Sequence, residues 1–166
     1  MADLAPARTS TPPKRPWYSP LGLLKRVAMS VLFVYIGCCV YLYSIQNSLT
    51  YPRAILPTDQ AVAIARSLGL VAWEHATPGV EAPQGYVTPD FDDPAPHGTI
   101  VVFHGNGGCA WDRQYYVDAF ARRGFRTFLY EYPGYGGRPG RPSEAAIVPD
   151  ARALVRSLDQ AGYGPV

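Results

Sequence analysis

The sequence predicts an α/β domain attached to a membrane by a single helix, and three observations lead there. From Val27 to Ile45 no side chain is charged. At about 1.5 Å per residue, a helix over that stretch crosses about 28 Å, close to the depth of a bilayer's hydrocarbon. Thr99 to Phe103, T-I-V-V-F, is an unbroken β-branched and aromatic run, the pattern of a strand covered on both faces. After it, apolar positions recur at helical, then strand, then helical spacing, joined by short glycine-containing links. Strands alternating with helices in this way imply a parallel sheet.

The chain has 166 residues, 48% of them hydrophobic, enough to bury one modest core. Its net charge is +2 and the basic residues do not gather on the domain, so no nucleic acid partner is expected. Residues 1–20, rich in Pro, Ser, Thr and basic side chains, read as a disordered tail. Residues 21–46 read as a transmembrane signal-anchor helix and 47–166 as the folded domain. A removable signal would end in small residues, whereas this segment ends in Tyr41-Leu42-Tyr43-Ser44-Ile45-Gln46. The lipid bilayer is therefore a partner, through residues 27–45. Arg8, Lys14, Arg15, Lys25 and Arg26 precede the segment, and only Arg53 follows soon after it. That bias keeps the N-terminus cytoplasmic and sends the domain to the extracytoplasmic side of a single-pass membrane protein. Cys38 and Cys39 lie in the anchor, which leaves Cys109 without an obvious disulfide partner.

Thr58 to Leu68 predicts the domain's first helix, capped by Thr58 or Asp59, with Ala61, Ile64, Ala65 and Leu68 on one face and Gly69 as its stop. Val71–His75 and Gln84–Thr88 are short strand candidates, and Phe91–Gly98 is an acidic, Pro-rich turn. After the Thr99–Phe103 strand comes a helix from Ala110 to Arg123, with Trp111, Tyr115, Ala119 and Phe120 inward. Phe125–Glu131 is the next strand. Ser143 then caps an amphipathic helix: Glu144 suits the positive end, and Ile147, Val148, Ala151, Leu154, Val155 and Leu158 form its stripe.

The chemistry lies where the buried strand ends in His104-Gly105-Asn106-Gly107-Gly108. A glycine-rich turn there delivers backbone N–H groups to the top of the sheet, where they can hold a developing oxyanion. A second chemistry competes. Gly105-x-Gly107-x-x-Ala110 matches a dinucleotide fingerprint, and Glu131 follows about twenty residues later, where a ribose-binding acid would stand. Four features oppose it: His104 replaces a small residue, and Trp111, Asp112 and Arg113 are bulky where that helix must approach closely. Glu131 runs into the stiff loop Tyr132-Pro133-Gly134-Tyr135-Gly136, and the extracytoplasmic side lacks a nicotinamide pool. No cofactor and no metal is expected, since His75, His97 and His104 lack ligand spacing. His75 and His97 read as surface residues, His104 as a buried turn residue bonded to backbone, and Asp112 as a structural N-terminal acid.

H-G-N-G-G at His104 to Gly108, combined with E-Y-P-G-Y-G-G-R-P-G-R-P-S-E at Glu131 to Glu144, resembles the α/β-hydrolase superfamily. The group it is most similar to is the membrane-anchored serine hydrolases of the Bem46 type; Gln46 and Tyr51-Pro52 after the anchor add to the likeness, which runs from about Leu23 to Val166. The resemblance implies the N-terminal half of a doubly wound α/β-hydrolase sheet and the hydrolysis of a small ester or acyl substrate (an ester, thioester or amide). It makes the backbone N–H of Asn106 an oxyanion donor, has His104 and Gly105 shape the turn, and has Gly107 and Gly108 permit its geometry. Tyr132, Pro133, Gly134, Tyr135, Gly136 and Gly137 would line the rim, and Arg138 stands where relatives commonly carry Ser. In that family a nucleophilic Ser on a G-x-S-x-G elbow follows the helix that here ends near Ala161, and the acid and the general-base His come later. These residues hold no G-x-S-x-G; Ala65-Arg66-Ser67-Leu68-Gly69 is a loosened match inside a helical pattern. The expectation is a hydrolase fragment, inactive as this chain, with a non-catalytic membrane-tethered binding module as the alternative and a dinucleotide-binding domain behind it. The family's nucleophile strand pairs with the strand matching Thr99–Phe103, so that strand should show an open apolar edge.

Overall fold

The computed structural model describes residues 19–53, 56–73, 83–95 and 97–166, in two units divided between Ser44 and Ile45. The tail expected over residues 1–20 lies almost wholly outside the described residues, as does His75. Among the described residues one helix, α1 (Pro20–Thr50), is long and apolar enough to cross a membrane, and it buries none of its residues. Ser19 Oγ accepts the Gly22 N–H at 3.1 Å, and Pro20, which has no N–H to lose, opens the first turn. The helix runs four residues past the expected end at Gln46, so its last turn belongs to the second unit.

That unit is of α/β class. It contains α2 (Thr58–Ser67), β1 (Val71–Ala72), β2 (Gly85–Val87), β3 (Thr99–Phe103), a 3₁₀ turn (Ala110–Arg113), α3 (Tyr115–Ala121), β4 (Arg126–Tyr130) and α4 (Glu144–Gln160). The sheet order is β1-β2-β4-β3. Contrary to the expected parallel sheet, only β3 and β4 run parallel; β1 with β2 and β2 with β4 are antiparallel. The reason is the connections. A parallel pair needs a long crossover, which the 3₁₀ turn and α3 supply between the consecutive strands β3 and β4.

Alternation along β4 divides the core. Leu129 packs with Ala61 and Ala65 of α2, Leu70, Tyr86, Ala110 and Trp111, whereas Phe128 and Tyr130 pack with Leu154 and Leu158 of α4, Trp73, Val87 and Phe91. Successive side chains of a strand point to opposite faces, so the sheet carries helices on both. Trp73 meets Phe91 and Phe128 edge to face, with centroids 5.2 and 5.5 Å apart.

Several local expectations change. Neither Thr58 nor Asp59 caps α2: Pro57 holds that position, and the Thr58 hydroxyl donates instead to the Gly137 carbonyl at 2.6 Å. Ile64 and Leu68 remain 37% and 40% exposed while Ala61 and Ala65 are fully buried, because the close approach needs the small side chains. The helix expected over Ala110–Arg123 breaks at Gln114, and the shift from three to 3.6 residues per turn swings Tyr115 outward and Val117 toward the core. Ser143 does cap α4, accepting the Ala146 N–H at 3.2 Å. Thr99–Phe103 is not covered on both faces throughout: β3 lies at the sheet's edge, with no strand on its outer side among the described residues, and Phe103 is 47% exposed.

Leu154, fully buried against Phe128 and Tyr130, should report on this packing. Leu154→Ala is expected to cost about 2–5 kcal/mol of unfolding free energy, read by urea denaturation of the detergent-solubilised chain. A loss well below 1 kcal/mol would mean that α4 is not packed on the sheet as described.

Candidate functional site

The parallel register sets Phe103 beside Tyr130, so His104 and Glu131, the residues that follow, leave the sheet side by side. His104 Nε2 lies 2.9 Å from Glu131 Oε1, with both side chains almost wholly shielded from solvent. The other carboxyl oxygen, Oε2, accepts the Ala110 N–H at 3.0 Å. His104 Nδ1 lies 2.9 Å from the Gly105 carbonyl. A carbonyl only accepts, so Nδ1 carries a proton; a second proton must lie between Nε2 and Oε1, since two lone pairs would otherwise face each other. The pair is thus neutral overall, the form in which two ionisable groups can be buried together. His104 is the buried, backbone-bonded residue expected, but its partner Glu131 was not foreseen.

Above the pair, Gly105, Asn106 and Gly107 form an exposed turn closed by the Gly108 N–H on the Gly105 carbonyl at 3.2 Å. Gly107 has φ 76°, a conformation that favours glycine. The backbone N–H of Asn106 makes no hydrogen bond among the described residues. Tyr132 donates its hydroxyl to the His104 carbonyl at 2.9 Å, and Tyr135 donates to Asn106 Oδ1 at 3.4 Å. Burial shifts both phenols above the ordinary tyrosine range, so they remain donors. At Gly136, φ is 50° and a Cβ would strike the Glu131 carboxylate, so only glycine fits.

The rim loop is held from two sides. Arg138 Nη1 donates to the Glu131 carbonyl at 2.8 Å, and the same guanidinium grips Asp150 at 2.8 and 2.6 Å. Tyr130 adds a 2.5 Å hydrogen bond to Asp150. Burial works against both charges, but their mutual hydrogen bonds outweigh it: the Asp150 carboxyl is held below, and the Arg138 guanidinium above, its ordinary range. From the other side, Asn47 Nδ2 donates to the Pro142 carbonyl at 3.1 Å and Arg53 Nη1 to the Gly134 carbonyl at 2.9 Å.

A depression of about 370 Å³ opens beside the turn, lined by His104, Asn106, Tyr132, Tyr135, Tyr51 and Ile147 among others. The structure therefore brings together His104, Asn106, Tyr132 and Tyr135. Gly105, Gly107 and Gly108 shape the turn, while Pro133 and Gly134 lie back from the depression and anchor the loop. The remaining candidates stand apart. His97 is exposed beside Phe125, and the Ser67 hydroxyl is spent on the Ile64 carbonyl at 2.7 Å. Burial, reinforced by nearby Glu131, pushes the Cys109 thiol up to about 12, which leaves it a poor nucleophile. Asp112 accepts the Cys109 N–H at 2.7 Å, the structural role expected of it. Glu131 has both carboxyl oxygens committed and is 1% exposed, so no ribose can reach it. Among the described residues no three His, Cys, Asp or Glu side chains gather as metal ligands.

Arg138, Asp150 and Asn47 were missed as site residues. Asp150 had left a signal: it falls four residues before Leu154 and eight before Leu158, an acid on the buried stripe of α4.

No protein-family model matches the chain. It is 43% identical over 54 residues to the uncharacterized protein Rv2307c of Mycobacterium tuberculosis, a match covering 32% of this chain. It is 31% identical over 74 residues to the uncharacterized protein YfhR of Escherichia coli, covering 43% of this chain. Against their lengths, the chain spans 19% of the first relative and 26% of the second.

Because the folded state favours the ionised form of Asp150, holding its carboxyl below the ordinary range, its contribution to stability is complete above the unfolded carboxylate value of about 3.9 and is lost as pH falls through the lower folded value. Asp150→Asn should therefore be less stable than the parent at pH 7, with the gap narrowing toward pH 2, as read by urea denaturation. An equal gap at both pH values would remove the ionised Asp150–Arg138 pair from the account of the rim.

Proposed function

We propose that this chain forms the carbonyl-binding half of a membrane-anchored serine hydrolase of the α/β-hydrolase kind, the N-terminal half of a doubly wound sheet, acting on an ester, thioester or amide. The observation that carries this reading is the uncommitted Asn106 N–H on a turn whose base is tied down by the buried His104–Glu131 pair. When a nucleophile adds to a carbonyl, the oxygen gains a full negative charge. A donor already held in place stabilises that charge without reorganising, and a single such donor contributes about 10²–10³ in rate.

Two further features support the reading. The open edge of β3 is where, in the family the motifs resemble, the strand leading to the nucleophile pairs. His104 has both ring nitrogens engaged and Cys109 is held as a thiol, so neither supplies what the absent G-x-S-x-G would. Within these residues the site binds a carbonyl and does not turn it over. A membrane-tethered binding module uses the same depression without ever meeting a nucleophile, and the lack of a serine elbow in these residues is the observation that favours it. In either case the flanking charges put the N-terminus in the cytoplasm and the domain on the far side.

The chain reconstituted in lipid nanodiscs should not be labelled by a fluorophosphonate, whereas 2-butanone, a neutral carbonyl that cannot be hydrolysed, should shift the amide resonances of Asn106 and Gly107. Asn106→Pro, which removes the N–H, should weaken that binding about tenfold or more. Fluorophosphonate labelling, or a ketone that leaves both amides unmoved, would refute the half-site. The coding sequence beyond Val166 discriminates the two readings: an apolar strand leading into G-x-S-x-G supports the hydrolase, a stop codon the binding module. Alkaline phosphatase fused after Val166 should be active outside the cytoplasm, and a silent fusion would reverse the orientation.

A further inference from the structure

Building on the carbonyl-binding reading, we infer that the acyl group the site accepts is the long chain of an uncharged, membrane-resident ester or thioester. The second unit contains the depression entirely, and one wall of it comes from the end of α1. Thr50 and Tyr51 line it together with Ile147, Val148 and Tyr135. Thr50 follows the last residue of the uncharged segment, Ile45, by five positions, a tether of at most about 18 Å even if fully extended. The same stretch is fastened to the rim, by Asn47 on the Pro142 carbonyl at 3.1 Å and Arg53 on the Gly134 carbonyl at 2.9 Å. The residues that follow the membrane-length segment therefore form a structural part of the binding surface.

The chemistry of the lining selects the occupant. Val148 is 37% exposed on the first turns of α4, an apolar side chain placed where water would otherwise stand. Tyr51, Ile147 and Tyr135 line the same depression as Val148 and Asn106. An acyl tail lying on it, with its carbonyl oxygen at the Asn106 N–H, sets its methylenes against apolar side chains instead of water. Each methylene buried there multiplies affinity about fourfold. Glu144, which also lines the depression, carries a negative charge that repels a free fatty carboxylate.

The test compares 2-butanone, 2-undecanone and decanoate bound to the chain in phosphatidylcholine nanodiscs, read at the Asn106 amide resonance. The expected result is saturation by 2-undecanone at a concentration at least about tenfold lower than 2-butanone requires, with decanoate weaker than the ketone of similar length. Val148→Asp should erase the long-chain advantage, so that on the variant 2-undecanone saturates at a concentration close to the one 2-butanone requires. Equal affinities for the two ketones would overturn the long-chain inference and leave carbonyl binding standing. An advantage that survives Val148→Asp would assign it to partition into the bilayer and overturn the inference equally. Decanoate binding as tightly as the ketone would overturn the requirement for a neutral substrate. If neither ketone moves Asn106, the carbonyl-binding reading itself fails.

Discussion

The contact between His104 and Glu131 organises everything above the sheet. It joins the ends of two parallel strands, and through its second oxygen Glu131 also takes the first N–H of the 3₁₀ turn at Ala110. Strand β3, strand β4 and the segment beginning at Cys109 thus meet at one carboxylate. Two groups that would each be costly to bury alone are tolerable together because one proton lies between them, leaving no net charge to desolvate. Removing either partner would leave a buried polar group facing nothing, so the contact is worth more for what its loss costs than for what it adds.

Around that contact the rim loop is held by a second polar system of a different kind. Arg138 reaches from the loop to the Glu131 carbonyl and to Asp150 on α4, while Tyr130 and Gln84 approach the same carboxylate from the sheet. Asn47, Arg53 and Thr58 take loop carbonyls from the side where the chain leaves α1. A loop rich in glycine would otherwise sample many backbone conformations. Here its carbonyls are fixed from both sides, which keeps Tyr132 and Tyr135 over the turn that carries Asn106.

The outer edge of β3 has the opposite character. Its T-I-V-V-F run is mainly apolar, Phe103 is half exposed, and beside it lie Ala151 and Val155 of α4, bordered by Arg152 and Arg156. Edges of this type recruit further strands. The site therefore has a closed, hydrogen-bonded side at the rim and an open edge at β3 among the described residues.

Periodicity located α2 and α4, runs rich in β-branched and aromatic residues located β3 and β4, and the capping Ser143 marked where α4 begins. The uncharged run from Val27 to Ile45 likewise announced a membrane-length helix, since no fold is needed to count charges. The glycine turn after His104 was legible for the same reason: the residues that make it are contiguous. The antiparallel placing of β2, the break at Gln114 and the partnership of Arg138 with Asp150 were not legible. Each depends on which distant segment lies alongside, and a sequence states spacing along the chain rather than proximity across it. Glu131 shows the difference most clearly. Read along the chain it could have held a ribose, and only the register of β3 against β4, which sets His104 beside it, commits both of its oxygens to the protein.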